Sequence, residues 1–105
     1  MNLEEIQKQV DDWVSQFNPP YWPHFEQLAH LMEETGELSR ELMNMYGIKK
    51  KKQEETPRDL GKELSDVLFT IICIANSNGI NLQDEWKEMM EKRRYGRDNQ
   101  RYDRK

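Results

Sequence analysis

The chain has 105 residues, which is enough for one small domain and too few for two. Charged residues make up 34% of it, yet the formal net charge is only -4, so charge repulsion is too weak to favour a disordered chain. The chain lacks the basic excess that would indicate a nucleic-acid polymer as its partner. Its longest apolar stretch, residues 67–75, is too short to span a membrane. The single cysteine, Cys73, and an N-terminus without signal-peptide character lead us to expect a cytoplasmic protein with a buried thiol.

The first helix is predicted from apolar residues that recur at helical spacing between Leu3 and Phe17. Asn2 is the predicted N-cap, and Glu5 lies three residues later, where an acid completes a capping box. The prolines of segment 18–23 must end this helix, because proline also disfavours helix in the residue before it.

Three further helices follow along the chain. The second is predicted from about residue 24 to residue 46, where Gly47 ends it. A cap, a first-turn proline and an acid in residues 56–59 predict the start of the third, which ends at the Asn-Gly pair of residues 78–79. Asn81 is the predicted cap of the fourth helix.

The third helix is apolar around most of its circumference. At about 100° per residue, the side chains that form its main apolar arc are Leu60, Leu64, Val67, Leu68, Ile71, Ile72, Ile74 and Ala75. Such a helix needs cover on several sides, which four short helices cannot supply. We therefore expect an all-α, four-helix bundle that completes its core by self-association, as a dimer or tetramer. The single domain is expected over residues 1–95, with Trp86 in its core, followed by a basic, flexible tail over residues 96–105.

Carboxylates cluster on the second and third helices. Glu34 and Glu37 share one helical face, and so do Glu63 and Asp66. On the second helix alone a solvated charged face is the simplest interpretation, but on the third the acids form a narrow stripe on an apolar helix. If the two faces meet, their repulsion requires raised pKa values, neutralising arginines or a divalent cation.

The ligand types limit which cation could bind. Oxygen ligands suit Mg²⁺, with Mn²⁺ as a possible substitute. A ferritin-like di-iron site needs glutamate three residues before histidine. Tyr21 and Gln27 stand at those positions before His24 and His30, so this alternative is excluded.

The spacing of the acids carries a resemblance to a known family. Glu33-Glu34-Thr35-Gly36-Glu37 is followed, after 25 residues, by Glu63-Leu64-Ser65-Asp66, which reads E-E-x-x-E…E-x-x-D. This double motif on consecutive helices resembles the MazG-like branch of the all-α nucleoside triphosphate pyrophosphohydrolases, over roughly residues 21–95. The resemblance implies an enzyme that cleaves NTP or dNTP to the monophosphate and pyrophosphate in nucleotide-pool housekeeping. A same-fold enzyme acting on phosphoribosyl-ATP, or a non-catalytic helical dimer that binds nucleotide or protein, remains an alternative.

The resemblance also implies roles for individual residues. The implied Mg²⁺ ligands are Glu34, Glu37, Glu63 and Asp66. Glu33 would support the site or help to position water, so that Glu33 and Glu37 are the implied catalytic residues.

Substrate contacts are predicted at both ends of the motif region. The end of the fourth helix is basic, which is typical either of a helix C-terminus with a soluble tail or of a phosphate site. The resemblance favours Lys92, Arg94 and Tyr95 as phosphate contacts. Before or early in the second helix, Trp22 and His24 could stack on a nucleobase, although such residues more often pack a helix start against the core.

Overall fold

The computed structural model describes residues 1–47 and 58–105, except the side chain of Arg58. Its elements, in chain order, are α1 (Leu3–Val14), α2 (His24–Tyr46), α3 (Arg58–Ser77) and α4 (Leu82–Glu88). Helical backbone continues from α4 as a π-helical segment, Met89–Arg97, and a 3-10 turn, Asp98–Gln100. All regular structure within the described ranges is helical, which confirms the all-α prediction with four helices. The predicted cap and proline at residues 56 and 57 lie outside the described residues.

The helix ends follow from local hydrogen bonding. Asn2 Oδ1 accepts the Glu5 backbone N–H at 2.8 Å, and the Glu5 carboxylate accepts the Asn2 N–H at 3.3 Å, so the predicted capping box is present. Asn81 Oδ1 accepts the Asp84 N–H at 3.1 Å and caps α4. At the end of α2, the Gly47 N–H donates to the Met43 carbonyl at 2.9 Å, and a Cβ on Gly47 would stand only 2.6 Å from that oxygen. Glycine therefore allows the chain to leave α2 at this point.

The small core lies between α1 and α3. Val10 and Val14 of α1 pack against Ile72 of α3, with Leu82 from α4 partly buried beside them. Trp86 was expected in this core, but it is 58% exposed in the single chain. The reason is that α4 is two turns long and reaches the core cluster through its first residue, Leu82.

A buried polar network joins α1 to the turn between α3 and α4. Gln7 Nε2 donates at 2.8 Å to both Asn76 Oδ1 and the Ile80 carbonyl, while Gln7 Oε1 accepts the Leu82 N–H at 2.8 Å. The Asn76 amide donates in return to the Gln7 carbonyl at 2.9 Å. Because each of these groups is paired, burial of the polar side chain of Gln7 costs little, and the network fixes where α4 begins.

Apolar side chains of α2 and α3 remain on the surface of the single chain. Their exposed fractions run from 40% at Ile71 to 83% at Phe25, and the set also includes Leu28, Met32, Leu42, Leu64 and Leu68. Among the described helices, none combines the length and the apolar character that crossing a bilayer requires.

The helical path passes residue 95 and reaches Gln100, while the flexibility of residues 96–105 stays a prediction.

Candidate metal centre and adjoining pocket

Packing of α2 along α3 brings acids from the two helices together. Glu34 and Glu37 of α2 and Glu63 of α3 each present a carboxylate oxygen, and these three oxygens all lie within 4.8 Å of one another. Glutamates spaced by three residues on α2 share a face, and α3 supplies the third group from across the interface. Helix packing therefore creates a three-carboxylate cluster, defined here as Glu34, Glu37 and Glu63.

The cluster contains carboxylate oxygens that are shielded from water without a donor. Glu34 Oε2 and Glu63 Oε2 are buried and have no hydrogen-bond partner among the described residues. An unpaired buried carboxylate oxygen is unfavourable unless a cation or a donor reaches it. Glu37, by contrast, is exposed and leaves the cluster open on one side. Hard oxygen ligands with an open side fit a divalent cation that also contacts a substrate.

The electrostatics of the cluster favour a positive charge. Burial raises the pKa of Glu63, and the neighbouring negative charges of Glu37, Asp66 and Glu34 raise it further. Part of the free-energy cost of ionising this carboxyl group comes from the neighbouring carboxylates. A cation bound among them would instead favour the ionised form.

The other two acids of the motif lie beside the cluster. Asp66 is partly buried one turn after Glu63, and its charge contributes to the raised pKa of Glu63. Its carboxylate is nevertheless not part of the group of oxygens that lie within 4.8 Å of one another. Glu33 is exposed on α2, next to Glu34, and is also outside the group.

An apolar pocket of about 450 Å³ reaches α2 at Gln27 and His30, and the acids themselves are not part of its walls. Residues of α1, α2, α3 and the proline-rich segment 18–23 form its walls. Its aromatic lining consists of Trp13, Phe17, Tyr21, Trp22, His30 and Phe69. The rings of Trp13 and Phe69 meet edge to face with centroids 5.9 Å apart, and those of Trp22 and His30 are 5.0 Å apart. The pocket is therefore preformed by ring packing, and its size suits a planar ring.

His30 belongs to both the pocket and the surroundings of the carboxylates. Its ring lines the pocket, and its Nε2 lies 3.2 Å from Glu34 Oε1. Carboxylate oxygens act as acceptors, so we assign the hydrogen to Nε2. From the sequence, His30 was considered as a di-iron ligand and excluded, although its spacing of four residues from Glu34 was a signal for this contact.

The predicted base contacts separate in the structure. Trp22 lines the pocket and keeps 55% of its surface exposed. His24, on the first turn of α2, is exposed and is not part of the pocket wall.

Of the three predicted phosphate contacts, Lys92 and Arg94 are paired with nearby acids. Lys92 Nζ lies 3.0 Å from a carboxylate oxygen of Glu88, and Arg94 Nη1 donates to Asp98 Oδ2 at 2.7 Å. Tyr95 is 63% exposed. The contacts of the π-helical segment are chiefly with α4 and the 3-10 turn, which precede and follow it along the chain. The contacts described within one chain therefore do not bring these three residues to the three-carboxylate cluster.

Comparison with known proteins identifies the family. The MazG nucleotide pyrophosphohydrolase domain matches residues 23–101, a range that contains α2, α3, the three-carboxylate cluster and the basic π-helical segment. The chain belongs to the MazG nucleotide pyrophosphohydrolase family, as the resemblance in the sequence indicated.

Individual relatives come from Bacillus. The chain is 39% identical over 90 residues to the uncharacterised protein YpjD of Bacillus subtilis strain 168, covering 86% of this chain and 81% of YpjD. It is 28% identical over 99 residues to the uncharacterised protein YvdC of the same strain, covering 88% of this chain and 92% of YvdC.

Solved structures agree with the fold. The crystal structure of Bacillus subtilis YpjD, described there as a candidate pyrophosphatase, superposes with a TM-score of 0.83 at 38% identity, covering 89% of this chain and 95% of that one. A Bacillus-conserved MazG protein, described as a nucleotide pyrophosphohydrolase, superposes with a TM-score of 0.75 at 39% identity, covering 88% of both chains.

Proposed function

We propose that the chain is a Mg²⁺-dependent nucleoside triphosphate pyrophosphohydrolase that converts NTP or dNTP and water into NMP or dNMP and pyrophosphate. The observation that carries this proposal is the three-carboxylate cluster, in which buried oxygens of Glu34 and Glu63 have no hydrogen-bond partner among the described residues. Membership of the MazG family supports the reaction class. Removal of unwanted nucleotides in the cytoplasm, where the free thiol of Cys73 would stay reduced, is the role we propose.

The residues present fit a magnesium ion. Glu34, Glu37 and Glu63 would hold it, and Asp66, one turn beyond Glu63, is proposed as the fourth ligand. When bound, Mg²⁺ supplies charge neutralisation between the acids and the triphosphate and makes water easier to deprotonate. Mn²⁺ has the same preference for oxygen ligands and is the proposed substitute.

The chain's own side chains then have distinct tasks. Glu37 and Glu33 are exposed and are proposed to accept the proton of the attacking water, whose oxygen bonds to the α-phosphorus while the bond to the pyrophosphate oxygen breaks. Lys92, Arg94 and Tyr95 stay proposed contacts of the departing phosphates, whose developing charge a positive group would offset. Because the contacts within one chain do not bring them to the three-carboxylate cluster, this role requires another subunit of the proposed oligomer to supply them.

The nucleobase is proposed to enter the apolar pocket. Trp22 lines it and offers a ring face for stacking, and His24, exposed on the first turn of α2, is proposed to contact the nucleoside at the entrance. The pocket and the three-carboxylate cluster share His30 as a boundary, which is the arrangement that a base joined to a triphosphate requires.

Self-association is proposed for the remaining apolar surface. Side chains of α2 and α3 such as Met32, Leu64 and Leu68 are exposed in the single chain, and covering them is favourable. A dimer, or a tetramer built from two dimers, would complete the core in this way.

Product analysis tests the proposed reaction. The purified chain is incubated with a panel of NTPs and dNTPs and Mg²⁺, and monophosphate, diphosphate, pyrophosphate and orthophosphate are separated. We expect equal amounts of monophosphate and pyrophosphate. Diphosphate with orthophosphate would contradict cleavage at the α-phosphorus. Absence of turnover, with phosphoribosyl-ATP included in the panel, would favour a binding role.

A further inference from the structure

His30 makes two contacts that face in different directions. On one side its ring packs against Trp22 at a centroid distance of 5.0 Å and forms part of the pocket wall. On the other side its Nε2–H donates to Glu34 Oε1 at 3.2 Å. A single side chain therefore links two features: the pocket wall, where a ring would bind, and a carboxylate of the three-carboxylate cluster.

The contact with Glu34 sets which of its oxygens is free. His30 contacts Oε1, while Oε2 is buried and has no hydrogen-bond partner among residues 1–47 and 58–105. The same carboxylate meets Glu37 and Glu63. A hydrogen bond to one oxygen fixes the rotation of the carboxylate plane, and groups that orient a ligand in this way strengthen metal binding. The orientation of His30 thus decides how Glu34 presents Oε2.

We propose that His30 is a positioning residue that couples a nucleobase in the apolar pocket to Mg²⁺ at the three-carboxylate cluster, so that each ligand strengthens the binding of the other. The inference rests on the proposed function, which places the base in the pocket. A ring stacked beside Trp22 restricts the rotation of the neighbouring imidazole and thereby holds Glu34 in the orientation that receives the cation. The coupling must be reciprocal, because both ligands favour the same orientation of one side chain.

Nucleosides without phosphates separate this coupling from direct contact between phosphate and metal. Mg²⁺ affinity is measured by titration calorimetry with and without a saturating nucleoside, chosen from a panel for quenching of tryptophan fluorescence. We expect the nucleoside to tighten Mg²⁺ binding by about five-fold or more. Mg²⁺ should tighten nucleoside binding by the same factor.

Three variants assign the effect to His30. His30→Leu keeps bulk in the pocket wall but removes the donor, so Mg²⁺ affinity should no longer depend on the nucleoside. His30→Gln retains an N–H donor and should restore part of the coupling, and it keeps the test valid if the leucine variant does not fold. Lys8→Met is the matched control, because it removes an ion pair with Asp12 at the same spacing of four residues on α1.

The outcomes separate this inference from the proposed function. If nucleosides bind the wild-type chain without changing Mg²⁺ affinity, or if His30→Leu keeps the full coupling, the inference is overturned and the base pocket stands. If His30→Leu weakens Mg²⁺ equally with and without nucleoside, His30 has only a structural role and the inference also fails. If no nucleoside binds the wild-type chain, both the inference and the proposed base pocket are wrong. Product analysis decides the reaction independently of all these results.

Discussion

The hydroxyl of Tyr21 lies 2.6 Å from Asp11 Oδ1 and ties the proline-rich segment to α1. The same hydroxyl accepts the Asn76 amide at 3.0 Å, so one side chain connects the segment before α2 to both α1 and α3. Tyr21 also lines the apolar pocket. The position of the pocket wall therefore depends on a hydrogen bond between residues ten positions apart in the sequence.

The burial and hydrogen bonding of the Tyr21 hydroxyl predict an unusual tyrosine titration. Burial, followed by the hydrogen bond to Asp11, raises the pKa of Tyr21 to about 12. Because the folded pKa lies above the ordinary value of 10.0, the stability that this group contributes is present below pH 10.0 and is lost as pH rises through about 12. Absorbance titration near 295 nm should show a tyrosine step near pH 12 that Tyr21→Phe removes.

Removing the hydroxyl should also lower stability. Tyr21→Phe deletes one hydrogen bond and leaves Asp11 without this donor, so we expect a loss of about 1 kcal/mol in the free energy of unfolding. Chemical denaturation at neutral pH measures this loss. An unchanged denaturation midpoint would contradict a stabilising role for the contact.

Neutralising a carboxylate in the three-carboxylate cluster should lower the activity at one position, Glu37, and raise the stability without Mg²⁺ at another, Glu63. Glu37→Gln is expected to lower kcat/KM by at least about 100-fold, since it removes a proposed ligand and proton acceptor. Without Mg²⁺, Glu63→Gln should raise the melting temperature, because burial and the charges of its neighbours disfavour the ionised form.

The response to Mg²⁺ gives the control for these variants. Wild-type melting temperature should rise in millimolar Mg²⁺ relative to NaCl of equal ionic strength, and EDTA should reverse the rise. Glu63→Gln should lose most of this shift, whereas Glu4→Gln, an exposed acid on α1, should keep it. Equal Mg²⁺ shifts in Glu63→Gln and the wild type would remove Glu63 from the metal site.

The order of the C-terminal segment should depend on Asp98. Hydrogen bonds from Arg97 and Arg94 lower the pKa of Asp98 below its ordinary value of 3.8. The stabilisation is therefore present above pH 3.8 and is lost as pH falls through the lower folded pKa. Asp98→Asn should increase amide hydrogen exchange and tryptic cleavage in residues 94–101.

Asp103→Asn provides a matched control for this segment. Asp103 is an exposed acid in the same basic tail, so its replacement changes the net charge equally and should leave exchange unchanged. If residues 94–101 already exchange freely in the wild-type chain, the predicted flexible tail is correct and the arginine contacts do not order it.

Gly36, inside α2, and Gly47, directly after it, should respond differently to alanine. A Cβ at Gly47 would lie 2.6 Å from the Met43 carbonyl oxygen, so Gly47→Ala should lower stability by about 1 kcal/mol or more through a backbone shift. A Cβ at Gly36 meets no atom within 4 Å, so Gly36→Ala should raise stability by about 0.5–1 kcal/mol through its helix propensity. Denaturation midpoints measure both, and a destabilised Gly36→Ala variant would indicate that another subunit approaches there.

The exposed apolar surface predicts the state in solution. Light scattering after size exclusion should give the mass of a dimer or tetramer. Removing the exposed surface of side chains such as Leu68 and Met32 from water lowers the free energy of the assembly. Leu68→Glu should shift the chain towards monomer, while Lys62→Glu, an exposed position on the same helix, should not. A monomeric wild type at micromolar concentration would contradict the proposed self-association.

Local chemistry was sufficient to predict the helices. Asn2, Asn81 and Gly47 act through hydrogen bonds and backbone geometry within four residues, so their effects are visible in the sequence itself. The grouping of the carboxylates of Glu34, Glu37 and Glu63 could be expected for a similar reason. Their spacing places them on one face of each helix, and the order of the two helices follows the family pattern.

Only the tertiary structure decided what these elements face. The contact of His30 with both Trp22 and Glu34, and the pocket itself, depend on side-chain rotation and on packing between segments remote in sequence, which helical periodicity does not specify. Trp86 shows the same limit, because its apolar character predicted burial while the short α4 leaves it exposed. Sequence determined which residues share a helix face, and packing between helices determined which faces meet.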